Sequence, residues 1–201
     1  MNKTQTVLLI NTHLTYPTFS EGLLNASFHQ KAKDFFENAN FKVLETKVEE
    51  AYNIDEEVEK HLQADIIILQ TPINWFGAPW IYKKYVDEVF SSAGTSKKFL
   101  EDDGRSRKDL TRQYGTGGYL QGKKFMVSAT WNAPKESFED PNQILFQGRS
   151  TADFFIPITS NYRFCGVDIV ADYNCFDIYK GGDIVRDLEN YPSHLKKVFG
   201  I

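Results

Sequence analysis

The sequence predicts an α/β fold in which helices cover both faces of a parallel β-sheet. Short apolar runs alternate with longer segments whose apolar residues recur every three or four positions, as in strand–helix units that build a parallel sheet. The run Ile66–Leu69 is apolar throughout, as a strand covered on both faces should be. The 201 residues contain no repeat and no linker, so we predict that residues 1–201 form one domain.

The amino-terminal part of the chain contains three predicted strands and two predicted helices. The strands are Thr6–Asn11, Phe41–Lys47 and Asp65–Gln70. The second helix is the short segment Asp55–Leu62. The first helix is indicated by apolar residues at helical spacing, namely Leu24, Phe28, Ala32, Phe35, Phe36 and Ala39.

The rest of the chain continues the alternation. Lys123–Ala129 and Val167–Asn174 are the fourth and fifth predicted strands. Pro79 is expected at the first position of the third helix, where its missing N–H costs nothing. Asp183–Phe199 is a closing helix that Pro192 is expected to kink or split. Right-handed crossovers between parallel strands favour a three-layer, doubly wound sheet with the flavodoxin-like order 2-1-3-4-5.

Composition argues against several classes of function. The net charge of −4 and the isoelectric point near 5.6 do not suit a nucleic-acid partner, which would favour a basic surface. Cys165 and Cys175 are too few for a disulfide framework, and neither they nor the histidines have metal-ligand spacing. No apolar segment approaches a signal peptide or a membrane span, so we expect a cytoplasmic protein without a metal.

The predicted strand order locates a ligand site at the carboxyl ends of the first, third and fourth strands, because the order reverses there. The loops that follow these strands are unlike ordinary connections. They read THLTYPTFSEGLL, TPINWFGAPW and TWNAPKESF. We therefore predict that these three loops, called the first, second and third loops below, meet at one edge of the sheet and bind a ligand there.

The first loop leads into the amino terminus of the first helix, where free N–H groups and the helix dipole favour a phosphate. Ser20 and Asn25 add polar side chains, and Gly22 permits close approach of the backbone. The alternative is that Ser20 is an ordinary helix cap. The loop alone does not distinguish these two interpretations.

The second loop has large aromatic residues where a connection would usually have Gly, Asp or Ser. Trp75 and Phe76 can provide a flat surface for a planar ring system, and the amides of residues 73–76 can bind its polar rim. Gly77 allows a tight turn. Trp80 falls in the first turn of the third helix, so we expect it to lie in the core.

The third loop repeats this arrangement, since Thr130, Trp131 and Asn132 follow directly on a strand. Thr130 and Asn132 can both donate hydrogen bonds to a heterocycle and accept them from it. Two aromatic loops beside a phosphate site favour a flavin over a sugar or a metal.

Residues 103–124 form a long segment that is rich in glycine and basic residues. Its glycines precede a strand rather than a helix, so a phosphate site is not favoured there. Tyr114 could contact a ligand, because loops of this length are uncommon without a function. The alternative is a solvated surface loop.

Several motifs occur in a fixed order along the chain: GAPW followed by KKYVDEVF, then DGRSRKD, YGTGG, QGKK and TWNAP. Together they resemble the modulator of drug activity B type of NAD(P)H:quinone oxidoreductase, a family of flavodoxin-like quinone reductases. The resemblance extends over almost the whole chain.

The resemblance implies non-covalent FAD rather than FMN, with NAD(P)H and a small quinone as substrates. It also implies a homodimer whose active site lies at the subunit interface. The flavin would carry the chemistry, so no catalytic side chain is assigned. By position, the resemblance implies cofactor contacts at Ser20, Glu21, Gly22, Leu23, Leu24, Asn25, Ala26, Ser27, Pro72, Ile73, Asn74, Trp75, Tyr114, Thr130, Trp131, Asn132 and Ala133.

The chain departs from the family at Phe19, where histidine is expected. Distant quinone reductases also have a Tyr and a His after the fourth strand, and KESFEDPNQILFQG contains no match for them. We predict two-electron, ping-pong hydride transfer from NAD(P)H through flavin N5 to a quinone. The alternatives on this fold are an FMN-dependent or azo-compound reductase, a non-enzymatic flavin electron carrier, and a binding module without flavin.

Overall fold

One parallel sheet forms the centre of the molecule in the computed structural model, which describes residues 4–201. The strands are β1 (Thr6–Asn11), β2 (Lys42–Lys47), β3 (Ile66–Pro72), β4 (Lys124–Thr130), β5 (Asp168–Ile169) and β6 (Tyr173–Cys175). The helices are α1 (Leu23–Asn38), α2 (Ile54–Gln63), α3 (Trp80–Thr95), α4 (Thr151–Phe164) and α5 (Ile184–Phe199). The strand order is β2-β1-β3-β4-β5, with β6 also paired to β4, so the predicted order is confirmed.

Helices cover both faces of this sheet, as the doubly wound order requires. On one face α1 packs against α5, where the ring of Phe28 meets the ring of Tyr191 edge to face at 5.2 Å between centroids. On the other face α2, α3 and α4 bury a second apolar cluster that includes Tyr85 and Tyr162. Among residues 4–201, no helix is both long and apolar enough to cross a membrane.

The predicted fifth strand, Val167–Asn174, is interrupted in the structure. β5 pairs with β4 as far as Ile169, and β6 resumes the pairing at Tyr173. Residues 170–172 therefore lie opposite only two residues of β4. This single extra residue has the effect of a β-bulge, which ends regular pairing and redirects the strand. The other predicted elements agree with the structure to within two residues.

Helix α4 is absent from the sequence prediction. Pro157 lies in its middle and removes a helical hydrogen bond, which weakens the helical pattern in the sequence. The helix forms because Ser150 and Asp153 make a reciprocal capping box at its amino terminus. Buried side chains of the helix, including Phe155 and Tyr162, stabilise it against the sheet.

The prediction for Pro79 is wrong by one position, and of the two expectations for Pro192, a kink or a split, the split is wrong. Helix α5 is one continuous element from Ile184 to Phe199, so Pro192 does not split it. Pro79 is the residue that caps α3 rather than its first helical residue, because its ψ of 151° is extended.

Candidate functional site

The three predicted loops meet at the carboxyl edge of the sheet, as the strand order requires. The N–H of Thr12, in the first loop, donates to the carbonyl of Gln70 at the end of β3 at 3.0 Å. The N–H of Ile73, in the second loop, donates to the carbonyl of Thr130, where the third loop begins, at 2.9 Å. The predicted meeting of the loops is therefore confirmed.

A buried amide network joins these loops beneath their surface. Gln70 Nε2 donates to Asn25 Oδ1 at 2.8 Å, and Asn25 Nδ2 donates to Thr130 Oγ1 at 3.3 Å. All three side chains are buried. Gln70 Oε1 is buried without a hydrogen-bond partner among the described residues. Such an atom carries a desolvation penalty that a donor on a ligand or a water molecule can relieve.

The amino terminus of α1 is left without a side-chain cap, which removes the alternative interpretation of Ser20. Gly22 occupies the capping position with φ at 80°, and no side chain accepts from the first turn. Within residues 4–201 the N–H groups of Leu23, Leu24 and Asn25 have no hydrogen-bond partner. These donors, together with the helix dipole, make a site for an anion such as phosphate.

His13 forms one side of this anion site, and the sequence prediction did not include it. A Cβ built on Gly22 would lie 2.5 Å from His13 Nδ1, so only glycine leaves room for the imidazole ring. His13 Nε2 lies 3.2 Å from Ser20 Oγ. Burial lowers the pKa of His13 and so favours the neutral ring. The charge of Glu49 and a hydrogen bond from the imidazole to the Ser20 backbone partly offset this.

The second loop forms a strained tight turn. The N–H of Asn74 donates to the carbonyl of Gly77 at 2.9 Å, and the N–H of Gly77 donates back at 3.2 Å. Trp75 and Phe76 have φ values of 48° and 69°. A type I′ turn needs positive φ at both central positions and favours Asn-Gly. Left-handed backbone at two aromatic residues costs about 1–2 kcal/mol each, and such strain is typical of functional sites.

This turn presents two features that suit a planar ligand, namely exposed aromatic rings and free backbone N–H groups. The Trp75 side chain is 94% exposed, and that of Phe76 is 47% exposed. The N–H groups of Trp75 and Phe76 have no partner within the described chain, whereas those of Ile73 and Asn74 are already paired. Of the four amides predicted as rim donors, only the two at the tip of the turn are therefore free.

A cavity of about 570 Å³ lies beside the turn, which is within the usual size range of a cofactor pocket. The ring of Phe76 meets the ring of Phe146 edge to face at 5.9 Å between centroids. The residues that line the cavity are Ile73, Trp75, Phe76, Trp131, Asn132, Ala133, Pro134, Ser137, Leu145, Phe146, Asp177 and Lys180.

Trp131 is buried, whereas Trp80 differs in burial from what the sequence analysis expects. Trp131 is only 2% exposed, and its indole N–H donates to Asn174 Oδ1 at 2.7 Å. Its own backbone N–H and carbonyl are paired with Cys175 and Ile178, so only its ring surface remains for a ligand. Trp80 is 63% exposed, and the expectation that it lies in the core is wrong. Trp80 lies on the outer side of the first turn of α3, whose next two residues, Ile81 and Tyr82, are buried.

A fourth loop, residues 176–183 between β6 and α5, completes the cavity, and the sequence analysis did not include it. The N–H of Asp177 donates to the carbonyl of Ala133, and the N–H of Ile178 donates to the carbonyl of Trp131, each at 3.1 Å. These contacts depend on the interruption of the fifth strand. The segment FDIYKGGD contains Phe176 and Tyr179 but no fingerprint that would have marked it as part of the site in the sequence.

Tyr114 lies at the opposite edge of the sheet from the other predicted contacts. Its ring packs on Phe164, the last residue of α4, at 5.2 Å between centroids, and Arg105 lies 5.4 Å from its centroid. Since α4 leaves the carboxyl edge and returns to the start of β5, its last residue is at the amino edge. The structure therefore does not bring Tyr114 together with the three loops in one chain.

The parallel sheet and the loops at its carboxyl edge define a flavodoxin-like protein. A family model described as a flavodoxin-like fold matches residues 5–197. The chain is also 38% identical over 181 residues to NADPH:quinone oxidoreductase MdaB of Haemophilus influenzae, covering 90% of this chain and 93% of that protein. The chain therefore belongs to the flavodoxin-like family and, within it, to the group that contains this quinone oxidoreductase.

Solved structures show the same fold at low sequence identity. A Klebsiella pneumoniae protein described as a quinone reductase has a TM-score of 0.74 at 18% identity, covering 96% of this chain and 85% of that one. General stress protein 14 of Treponema denticola, solved in complex with FMN, has a TM-score of 0.64 at 16% identity, covering 96% of this chain and 98% of that one. These likenesses concern the fold alone.

Proposed function

We propose that this protein is an NAD(P)H:quinone oxidoreductase that works with bound FAD. The observation that carries the proposal is that two sites with unpaired backbone N–H groups lie at the same edge of the sheet. One is the uncapped amino terminus of α1, which suits phosphate, and the other is the cavity beside the strained turn, which suits a planar ring. The 38% identity to a quinone oxidoreductase supports the same activity.

The groups left without partners fit a flavin. The free N–H groups of Leu23, Leu24 and Asn25 would bind the pyrophosphate, and Ser20 and neutral His13 would add hydrogen bonds beside it. The free amides at the tip of the turn would bind the polar rim of the ring. When bound, the flavin supplies the two-electron chemistry, accepting hydride from NAD(P)H and passing it to a quinone.

The protein's own contribution is binding and electrostatics. Trp75 and Phe76 hold donors in a fixed turn, so little reorganisation is needed when charge develops on the ring. Leu145 and Phe146 form an apolar wall that excludes water from one side of the cavity. No His, Glu or Tyr is among the described residues that line the cavity. The ionisable residues of the lining are Asp177 and Lys180, and neither is given a role in proton transfer here, so the proton that completes the reduced quinone would come from water.

Steady-state kinetics test this mechanism. NAD(P)H and the quinone would use the same cavity in turn, so initial-rate plots at several quinone concentrations should give parallel lines. Intersecting lines would show that both substrates are bound together and would contradict the proposal.

FAD is proposed over FMN because the family resemblance implies it. The structure is compatible with FAD, since the phosphate site is open to solvent on its outer side, where Phe19 and Leu23 are exposed. That opening leaves room for the second half of a dinucleotide. Releasing the cofactor and measuring its mass decides the question. An FMN mass would instead favour the FMN-dependent or azo-compound reductase alternative.

We further propose a homodimer in which Tyr114 contacts the flavin of a second copy. Within one chain Tyr114 lies at the amino edge of the sheet, yet its ring is 68% exposed. Light scattering should give twice the chain mass, and the variant Tyr114→Ala should weaken FAD binding. A monomer that binds FAD equally well with and without this ring would contradict the dimer.

A further inference from the structure

The fourth loop holds the backbone of Lys180 beside the cavity, and the side chain is exposed. Two backbone hydrogen bonds attach the loop to the third loop, as described above. The loop also closes on itself, because the N–H of Gly182 donates to the carbonyl of Asp177 at 3.0 Å and the N–H of Lys180 donates to the same carbonyl at 3.2 Å. A Cβ on Gly182 would lie 2.1 Å from the carbonyl of Phe176, so the close packing depends on glycine.

Lys180 is the single cation among the described residues that line the cavity. Within residues 4–201 its ammonium group makes no salt bridge and no side-chain hydrogen bond, whereas lysines such as Lys33 and Lys60 are paired with carboxylates. The other charged residue of the lining is Asp177. Its carboxylate turns back over its own loop, since a Cβ on Gly181 would lie 2.7 Å from Asp177 Oδ2. Lys180 is therefore available for an anion in the cavity.

The proposed reaction creates such an anion. NAD(P)H gives the flavin a hydride, which is two electrons and one proton, and the ring gains one negative charge if no second proton follows. The charge is removed when the hydride passes to the quinone and a proton from water completes the reduced quinone. A positive charge beside the ring stabilises the reduced state more than the oxidised state.

We propose that Lys180 performs this role and sets the reduction potential of the bound flavin. This inference rests on the proposed function, since it needs a flavin in the cavity.

The test is a spectroelectrochemical titration of the flavin-loaded protein and three charge variants. In Lys180→Gln the equilibrium constant for reduction should fall about tenfold, which is about 30 mV for a two-electron couple. Lys180→Arg should retain the original potential. Asp177→Asn should shift the potential in the opposite direction to Lys180→Gln. Asn tolerates the positive φ of 52° at this position, so the turn should survive.

Lys135→Gln is the matched control, since Lys135 is exposed near the same edge of the sheet but lines a different cavity. Its potential should equal that of the unaltered protein. An unchanged potential in Lys180→Gln together with a raised KM for NADPH would show that Lys180 binds a phosphate of the substrate, and would overturn the inference while leaving the proposed function intact. A protein that takes up no flavin would overturn both.

Discussion

Trp75 and Trp131 each follow a central strand at the same edge of the sheet, yet one is 94% exposed and the other 2% exposed. The difference lies in what anchors each loop. Trp131 is tied to β6 and the fourth loop through its N–H, its carbonyl and its indole nitrogen. The turn at Trp75 is closed only by hydrogen bonds between Asn74 and Gly77. Trp131 therefore supports the site, whereas Trp75 is presented to a ligand.

The largest expected effect follows from replacing each tryptophan in turn. Trp131→Ala removes a ring that packs against Phe138 and Phe155, so we expect a loss of about 3–5 kcal/mol in the free energy of unfolding. Trp75→Ala should change it by less than about 1 kcal/mol. Chemical denaturation measures both. Equal losses would show that the two loops do not differ as described.

The comparison between core and site extends to the histidines. His61 is fully buried among Tyr85, Phe99 and Tyr162, and burial lowers its pKa from 6.5 to about 4. The unfolded chain therefore binds this proton more readily than the folded one. The contribution of neutral His61 to the free energy of unfolding is fully present above pH 6.5. It falls by about 3 kcal/mol as the pH drops from 6.5 to about 4.

Denaturation at several pH values in this range measures the effect, and His61→Leu should reduce the slope. His13 and His29 also have pKa values lowered by burial, so part of the slope should remain. If the free energy of unfolding falls equally at acid pH in the variant and in the unaltered protein, His61 does not contribute as proposed.

Gly22 allows a test at the anion site itself. Gly22→Ala places a Cβ 2.5 Å from His13 Nδ1 at a φ of 80°, so we expect a loss of about 1–3 kcal/mol and weaker flavin binding. Gly200→Ala is the matched control, because Gly200 has a φ of 72° but a Cβ there meets nothing within 4 Å. Gly200→Ala should lower the free energy of unfolding only by the backbone strain. It should leave flavin affinity unchanged, which fluorescence titration measures. Equal flavin affinities in the two variants would place the anion site elsewhere.

One double substitution is expected to raise stability rather than lower it. Replacing Trp75 and Phe76 together by Asn and Gly gives the turn its preferred residues, so the free energy of unfolding should rise by about 1–2 kcal/mol. The same change removes the aromatic surface, and the rate of flavin reduction by NADPH should fall at least about tenfold. A double variant that is less stable, or that is reduced at the original rate, would contradict the role given to strain in this turn.

The strand order and the meeting of three loops could be predicted because they follow from apolar runs and from the rules of parallel sheets. Helix α4 could not, since Pro157 obscures its pattern and its cap at Ser150 is a local hydrogen-bond arrangement. The fourth loop was missed for a related reason. Its position depends on the extra residue between β5 and β6, and strand register is not visible in a single sequence.

Burial of individual aromatic residues was the least predictable feature of the site. Trp75, Trp80 and Trp131 all lie just beyond a strand or at a helix start, and their sequence context is similar. Their exposure is decided by partners distant in sequence, such as Asn174 for Trp131. The roles of His13 and Lys180 also became visible only from three-dimensional contacts.

The most direct test of the central claim is the absorbance spectrum of the purified protein before and after NADPH is added without oxygen. A preparation with the yellow spectrum of bound flavin, bleached by NADPH and restored by a quinone, is the predicted result. A colourless protein that takes up neither FAD nor FMN would contradict the claim that the carboxyl edge of this sheet is a flavin site.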